Sequence, residues 1–125
     1  MNYNQTLNAA QTEGLRRLRH IALDMDGTIY LGSNIFPFTL DFLRRLDALG
    51  IGYSFLTNNP TRSVADYLKK LSGMGIEATE DNMYTTSLAA IDYIKETHPQ
   101  ARRLFMLGTP RYGSHRVVET ARIRP

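Results

Sequence analysis

Apolar positions along this chain follow two periods, and the alternation between the two lays out the elements. Ile21-Ala22-Leu23 is a short apolar run bounded by charge, the mark of a buried strand. Phe42, Leu43, Leu46 and Leu49 then fall on one helical face, with Thr39 as the expected N-cap and Gly50 as the stop. Tyr53–Leu56 reads as a second strand and runs into Thr57-Asn58-Asn59-Pro60. Val64, Tyr67, Leu68 and Leu71 repeat at helical spacing. Asn59 is the expected cap of that helix and Pro60 its first residue, where a missing N–H costs nothing, and Gly73 and Gly75 close it. A third strand is expected at 82–85, then a helix capped by Ser87 with Leu88, Ile91 and Ile94 inward, ended before Pro99. Residues 103–107 form a fourth strand candidate, and beyond Pro110 no regular pattern holds. Before the first strand, a polar leader runs into a short basic helix anchored by Leu15 and Leu18, and residues 29–37, with Gly32 and Pro37, predict a loop or small flap.

Strands that alternate with helices imply crossover connections and a parallel sheet covered on both faces, an α/β fold. In such sheets ligands gather beyond the carboxyl ends of the strands. Two polar segments fall on that rim, Asp24-Met25-Asp26-Gly27-Thr28 and Thr57-Asn58-Asn59. A carboxylate at a strand end can attack a phosphorus made electron-poor by a bound cation. Asp24 suits that nucleophilic role and can also hold magnesium, which needs only one or two protein carboxylates. Asp26, two residues on, can serve the leaving oxygen as general acid and later activate water as base. Gly27 permits the sharp bend. Thr57 and Asn58, with backbone N–H groups at the next turn, can hold the remaining phosphate oxygens.

The same acids resemble the opening of a calcium loop. An EF-hand, however, needs a bidentate Glu at its twelfth position, and Ile35 stands there. His20 reads as a solvent-edge residue, and neither His98 nor His115 has a partner at metal-ligand spacing. Tyr30 and Phe36 could line a substrate mouth, although packing is the commoner role of aromatics. Arg62 could reach an anion or simply be a solvated first-turn arginine.

Composition narrows the classes further. A chain of 125 residues with 42% apolar and 22% charged side chains is a globular domain able to bury a core. The absence of cysteine removes disulfides and thiolate metal sites. No apolar run reaches the roughly 18 residues of a membrane helix, and Met1–Gly14 lacks the apolar segment of a secretory signal, so a cytoplasmic protein with no membrane partner is expected. Net charge is +3, but residues 101–125 hold six arginines against Glu119 alone, leaving nine basic and eleven acidic side chains in the rest. Only Phe105 and Tyr112 accompany that basic tail. It lacks the aromatic interleaving of a nucleic-acid surface, and no nucleic-acid partner is expected.

Asp24-Met25-Asp26-Gly27-Thr28 with Ile29-Tyr30, then Leu56-Thr57-Asn58-Asn59-Pro60-Thr61-Arg62, then Tyr84-Thr85-Thr86-Ser87-Leu88-Ala89-Ala90, together resemble the haloacid dehalogenase superfamily. More narrowly they are similar to subfamily IIA, phosphatases of the sugar-phosphate, p-nitrophenyl phosphate and pyridoxal phosphate type. The resemblance implies a Rossmann-like core that hydrolyses small-molecule phosphate esters with Mg2+ through an aspartyl-phosphate. By it, Asp24 is nucleophile and metal ligand, and Asp26 is general acid/base and gives the metal its backbone carbonyl. Thr57, Asn58 and Asn59 bind the substrate phosphoryl group. It divides the chain into a polar leader (1–18), the N-terminal part of the core (19–100) and the start of an inserted α/β cap (101–125). Family members continue well past this length and return a lysine, an acidic metal motif and a further strand beside the Asp24 strand. A truncated or frameshifted form is therefore expected, catalytically incomplete on its own and binding phosphate or a partner at most, its Asp24 strand left with an open edge. A phosphotransferase or phosphomutase would share the same intermediate.

Overall fold

The computed structural model describes residues 6–59, 61–107 and 115–119. In chain order the elements are α1 (Ala9–Arg16), β1 (His20–Asp24), β2 (Tyr30–Leu31), β3 (Asn34–Ile35), α2 (Thr39–Ala48), β4 (Gly52–Thr57) and α3 (Val64–Gly73). A 3-10 turn then leads into β5 (Met83–Thr85), followed by α4 (Thr86–Thr97), β6 (Arg103–Leu107) and β7 (His115–Glu119). Strands β1, β4 and β5 form a parallel sheet in the order β1-β4-β5. This is the parallel α/β core expected from the alternating pattern. The expected flap is the antiparallel pair β2–β3.

One face of the sheet carries the core. Leu23 and Met25 at β1, Phe55 on β4 and Met83 on β5 pack with Leu43 and Leu46 of α2 and Tyr67 and Leu71 of α3. Alternation along a strand sends neighbouring residues to opposite faces, and the other face stays open to solvent at Ala22, Leu56 and Tyr84. The expected coverage of both faces is thus only partly present. Helix α4 has no fully buried residue, and Leu88, Ile91 and Ile94 are half-buried. Helix α1 likewise buries nothing, and its expected anchor Leu15 is half exposed.

Three helix starts differ from expectation; in α3 and α4 a better-placed side chain takes an orphan N–H, whereas α2 starts without a side-chain cap. Thr39 is the first helical residue of α2 rather than its cap. Its hydroxyl is fully buried and donates to the Ile29 carbonyl at 2.6 Å, tying the flap to the helix. The cap of α3 is Ser63, which accepts from Asp66 N while the Asp66 carboxylate accepts from Ser63 N. That reciprocal box satisfies two donors, and Asn59 is left to turn the loop by accepting from Thr61 N at 3.0 Å and the Thr61 hydroxyl at 2.7 Å. Pro60, expected to open the helix, lies outside the described residues. Thr85, not Ser87, caps α4 through Leu88 N at 3.3 Å. Residues 115–119, read as unpatterned, form β7 and pair antiparallel with β6.

Phe55 is fully buried at the centre of the sheet. Phe55→Ala is expected to cost about 3–5 kcal/mol, a large part of a domain's stability, read as a lower denaturant midpoint. Tyr30 is 1% exposed, and burial first, then Tyr67 and Asp26, pushes its phenol up to about 12 despite the opposing Arg62. A phenol that holds its proton more tightly when folded stabilises fully below its unfolded value near 10. That contribution is lost as pH rises through about 12. Denaturation curves across that window are expected to be less pH-dependent for Tyr30→Phe than for the parent chain.

Candidate active site

The parity of β1 sets the first half of the site. Leu23 and Met25 point into the core, so Asp24 and Asp26 both point out, and both are exposed. Beyond the strand the chain folds back sharply. Thr28 N and Ile29 N both donate to the Met25 carbonyl, at 3.1 and 3.0 Å, and Gly27 N donates to the Tyr30 carbonyl at 2.7 Å. Gly27 takes φ +88°, a left-handed conformation that favours glycine. This hairpin of backbone holds the acids. The Thr28 hydroxyl donates to Asp24 Oδ2 at 3.3 Å, and Gly32 N in the flap donates to Asp26 Oδ1 at 3.2 Å.

The second half comes from β4. In the parallel register Asp24 stands opposite Leu56 and Thr57 opposite Thr85, so the loops after the strands emerge side by side. The loop after Thr57 is held by one buried phenol. The Thr57 hydroxyl donates to the Tyr67 oxygen, and the Tyr67 hydroxyl donates to the Asn59 carbonyl, both at 3.3 Å. Asn59 N closes the loop on Thr57 Oγ1 at 3.2 Å. Sequence reasoning assigned Tyr67 to helix packing alone. Its apolar spacing hid the polar end, which only the fold aims at the loop.

The expected site residues divide between two concavities. Asp24, Thr57 and Asn58 stand at the edge of a hollow of about 300 Å³ that Leu56, Tyr84 and Ala89 also line, beside Thr85 and Thr86. Asp26 and Asn59 line a larger cleft of about 470 Å³ with Tyr30, Arg62, Tyr67 and Lys70. Asn58 and Asn59 are exposed and Thr57 is half-buried. Lys70 holds its ammonium 3.8 Å from the centre of the Tyr30 ring, a cation–π contact. Burial first, and the Arg62 charge next, lower its pKa, while Asp26 acts the other way. Tyr30 therefore both packs in the core and lines the cleft, so the packing and substrate-mouth readings each describe part of its role. Phe36 stacks on Phe38 with ring centres 5.7 Å apart. His20 is an edge residue, as expected, paired with the Ser54 hydroxyl at 2.8 Å.

Asp24 and Asp26 offer hard oxygens of the kind magnesium takes. Among the described residues no third acidic or imidazole group joins them. Magnesium keeps several waters and needs few protein ligands, so the donor chemistry fits the ion. Among the described residues no helix is long and apolar enough to cross a membrane.

Comparison with known proteins agrees with the fold. The family profile of haloacid dehalogenase-like hydrolases matches residues 21–123. The acid sugar phosphatase of Staphylococcus aureus is 33% identical over 94 residues, covering 75% of this chain and 36% of the relative. The structure of 4-nitrophenylphosphatase from Thermotoga maritima superposes with a TM-score of 0.71 at 33% identity, over 77% of this chain and 36% of that one. A p-nitrophenyl phosphatase from Archaeoglobus fulgidus gives 0.57 at 30% identity, over 66% and 31%. The chain thus spans about a third of the length of the relatives it matches. On the profile match and the shared fold, the chain belongs to the haloacid dehalogenase-like hydrolase family.

Proposed function

We propose that this chain is part of a magnesium-dependent phosphate-monoester hydrolase that works through an aspartyl-phosphate on Asp24, with a small-molecule phosphate ester as substrate. One observation supports it most: the β1–β4 register sets two outward acids beside the Thr57–Asn59 loop. Relatives named as an acid sugar phosphatase and a 4-nitrophenylphosphatase support the same reaction class. Magnesium, held by the Asp24 carboxylate and the Asp26 main-chain carbonyl, would make phosphorus more electrophilic and offset developing charge. An Asp24 oxygen attacks phosphorus as the P–O bond to the leaving group breaks, and the Asp26 carboxyl gives that departing oxygen a proton. Thr57 and Asn58 orient the non-transferred oxygens. Water then attacks the phosphoryl group, Asp26 takes its proton, and Asp24 is regenerated with release of inorganic phosphate. A cytoplasmic setting is part of this reading, and residues 101–125 are taken as the beginning of an inserted cap.

Fluoroberyllate mimics a phosphoryl group on a carboxylate. With magnesium it is expected to raise the Tm of the 125-residue chain by several degrees, since ligand at ten times its Kd adds about 1.4 kcal/mol and each kcal/mol moves Tm by roughly 4–8 °C in a small domain. Asp24→Asn should abolish the shift. An undiminished shift in that variant would remove Asp24 from the chemistry.

Tyr67→Phe keeps the ring in the core and removes the hydroxyl between Thr57 and Asn59. Fluoroberyllate affinity is expected to fall about five- to tenfold, the worth of two long hydrogen bonds at about 0.5–0.7 kcal/mol each, while the far-UV spectrum stays unchanged.

A further inference from the structure

The cleft beyond Asp26 has a charge pattern that a phosphate monoester alone does not use. Arg62, Lys69 and Lys70 line it, and Asp26 is the one acid among its lining residues. At about 470 Å³ it is within the size range of small-ligand sites. Asp24, Thr57 and Asn58 open instead onto the neighbouring hollow. The two spaces therefore divide the work. The phosphoryl group belongs beside Asp24, and whatever Asp26 protonates lies on the Asp26 side. The leaving group consequently extends into the cationic cleft.

Of these cations Lys70 is held in place, while Arg62 and Lys69 are exposed. Lys70 is half-buried on α3, and its ammonium rests on the Tyr30 ring. The flap that supplies the facing wall is pinned by Gly32 N on Asp26 and by Thr39 on Ile29. Arg62 is close enough to disfavour the charge on Lys70, a repulsion that an anion beside Lys70 would offset. Among the described residues no carboxylate stands at ion-pair distance from Lys70.

From the cleft's lining and its position beside the leaving-group acid, we infer that the substrate carries a second anionic group, read by Arg62 and Lys70 while its phosphoryl group is held at Asp24. This rests on the phosphatase reading above and names the substrate class of the same site: a phosphorylated compound bearing a carboxylate or a second phosphate on its leaving group. Lys69, exposed at the rim, adds long-range attraction for a compound with two anionic groups.

Matched probes separate the parts. The 15N-labelled 125-residue chain with magnesium is titrated with glucose 6-phosphate against 6-phosphogluconate, and with fructose 6-phosphate against fructose 1,6-bisphosphate. Each pair adds a second anion, a carboxylate in one (which also opens the sugar ring) and a phosphate in the other, and the readout is the ratio of Kd values within the pair. We expect the member with the second anionic group to bind at least about fivefold tighter in one pair or both, as one or two partly exposed ion pairs allow. The pair showing the preference identifies which anion is read. The ratio should shrink as salt is raised and fall to near one in Arg62→Gln/Lys70→Met. Equal affinity within both pairs, with binding lost in Asp24→Asn, would overturn the subsite and leave the phosphatase reading standing. A preference unchanged in the double variant, or both members weakened equally with the ratio kept, would also overturn it, since the cations would then serve no second anion. Binding of none of the four compounds would overturn the phosphatase reading, and this inference with it.

Discussion

The parallel pairing of β1 with β4 is the constraint on which the rest depends. It sets Asp24 opposite Leu56, so the turn carrying the acids and the loop carrying Thr57 leave the sheet at the same height. The core secures that register. A slip by one residue would carry Leu23 and Met25 out of the packed face and bring Asp24 and Asp26 into it. No contact between the two loops is needed to align them, because the hydrophobic face below already has.

The loops themselves are held by polar groups that the core anchors from beneath. Tyr67 sits 3% exposed on α3, yet its hydroxyl links Thr57 to Asn59. Thr39 is wholly buried at the start of α2 and clasps the flap through the Ile29 carbonyl. In each case a helix that packs on the sheet extends one hydroxyl upward to a rim segment. The rim needs no regular structure of its own, which suits a place where backbone must approach a ligand closely.

The strands of the parallel sheet, the order of helices and both rim motifs are legible in the sequence because each depends on near neighbours: apolar period, a glycine at a bend, acids at a strand end. What was not legible depends on distant ones. Thr39 read as a cap because the side chain is a good one, and only the packed flap shows that its hydroxyl goes elsewhere. Asn59 lost the cap of α3 to Ser63 because Asp66 completes a reciprocal box, a pairing present in the sequence but outweighed there by Asn-Pro. The β7 strand leaves little trace because residues 115–119 hold only the adjacent pair Val117-Val118 and no apolar alternation. The cationic cleft was hidden for a different reason. Arg62 and Lys70 belong to a loop and a helix, and Tyr30 to the flap, so no local window of sequence contains all three.

Alternation along β1 carries a further meaning. Asp24 and Asp26 share a face because they are two apart, and the residue between them, Met25, is 1% exposed. The interval between the two acids is therefore not free to drift: inserting or deleting one residue there would change which of them faces water, and would unseat Met25 at the same moment. Spacing that serves chemistry and spacing that serves packing are here the same two-residue step. A lineage of such proteins could redesign the flap, the cleft or the tail and keep folding, but it could not re-space its acids without first losing its core.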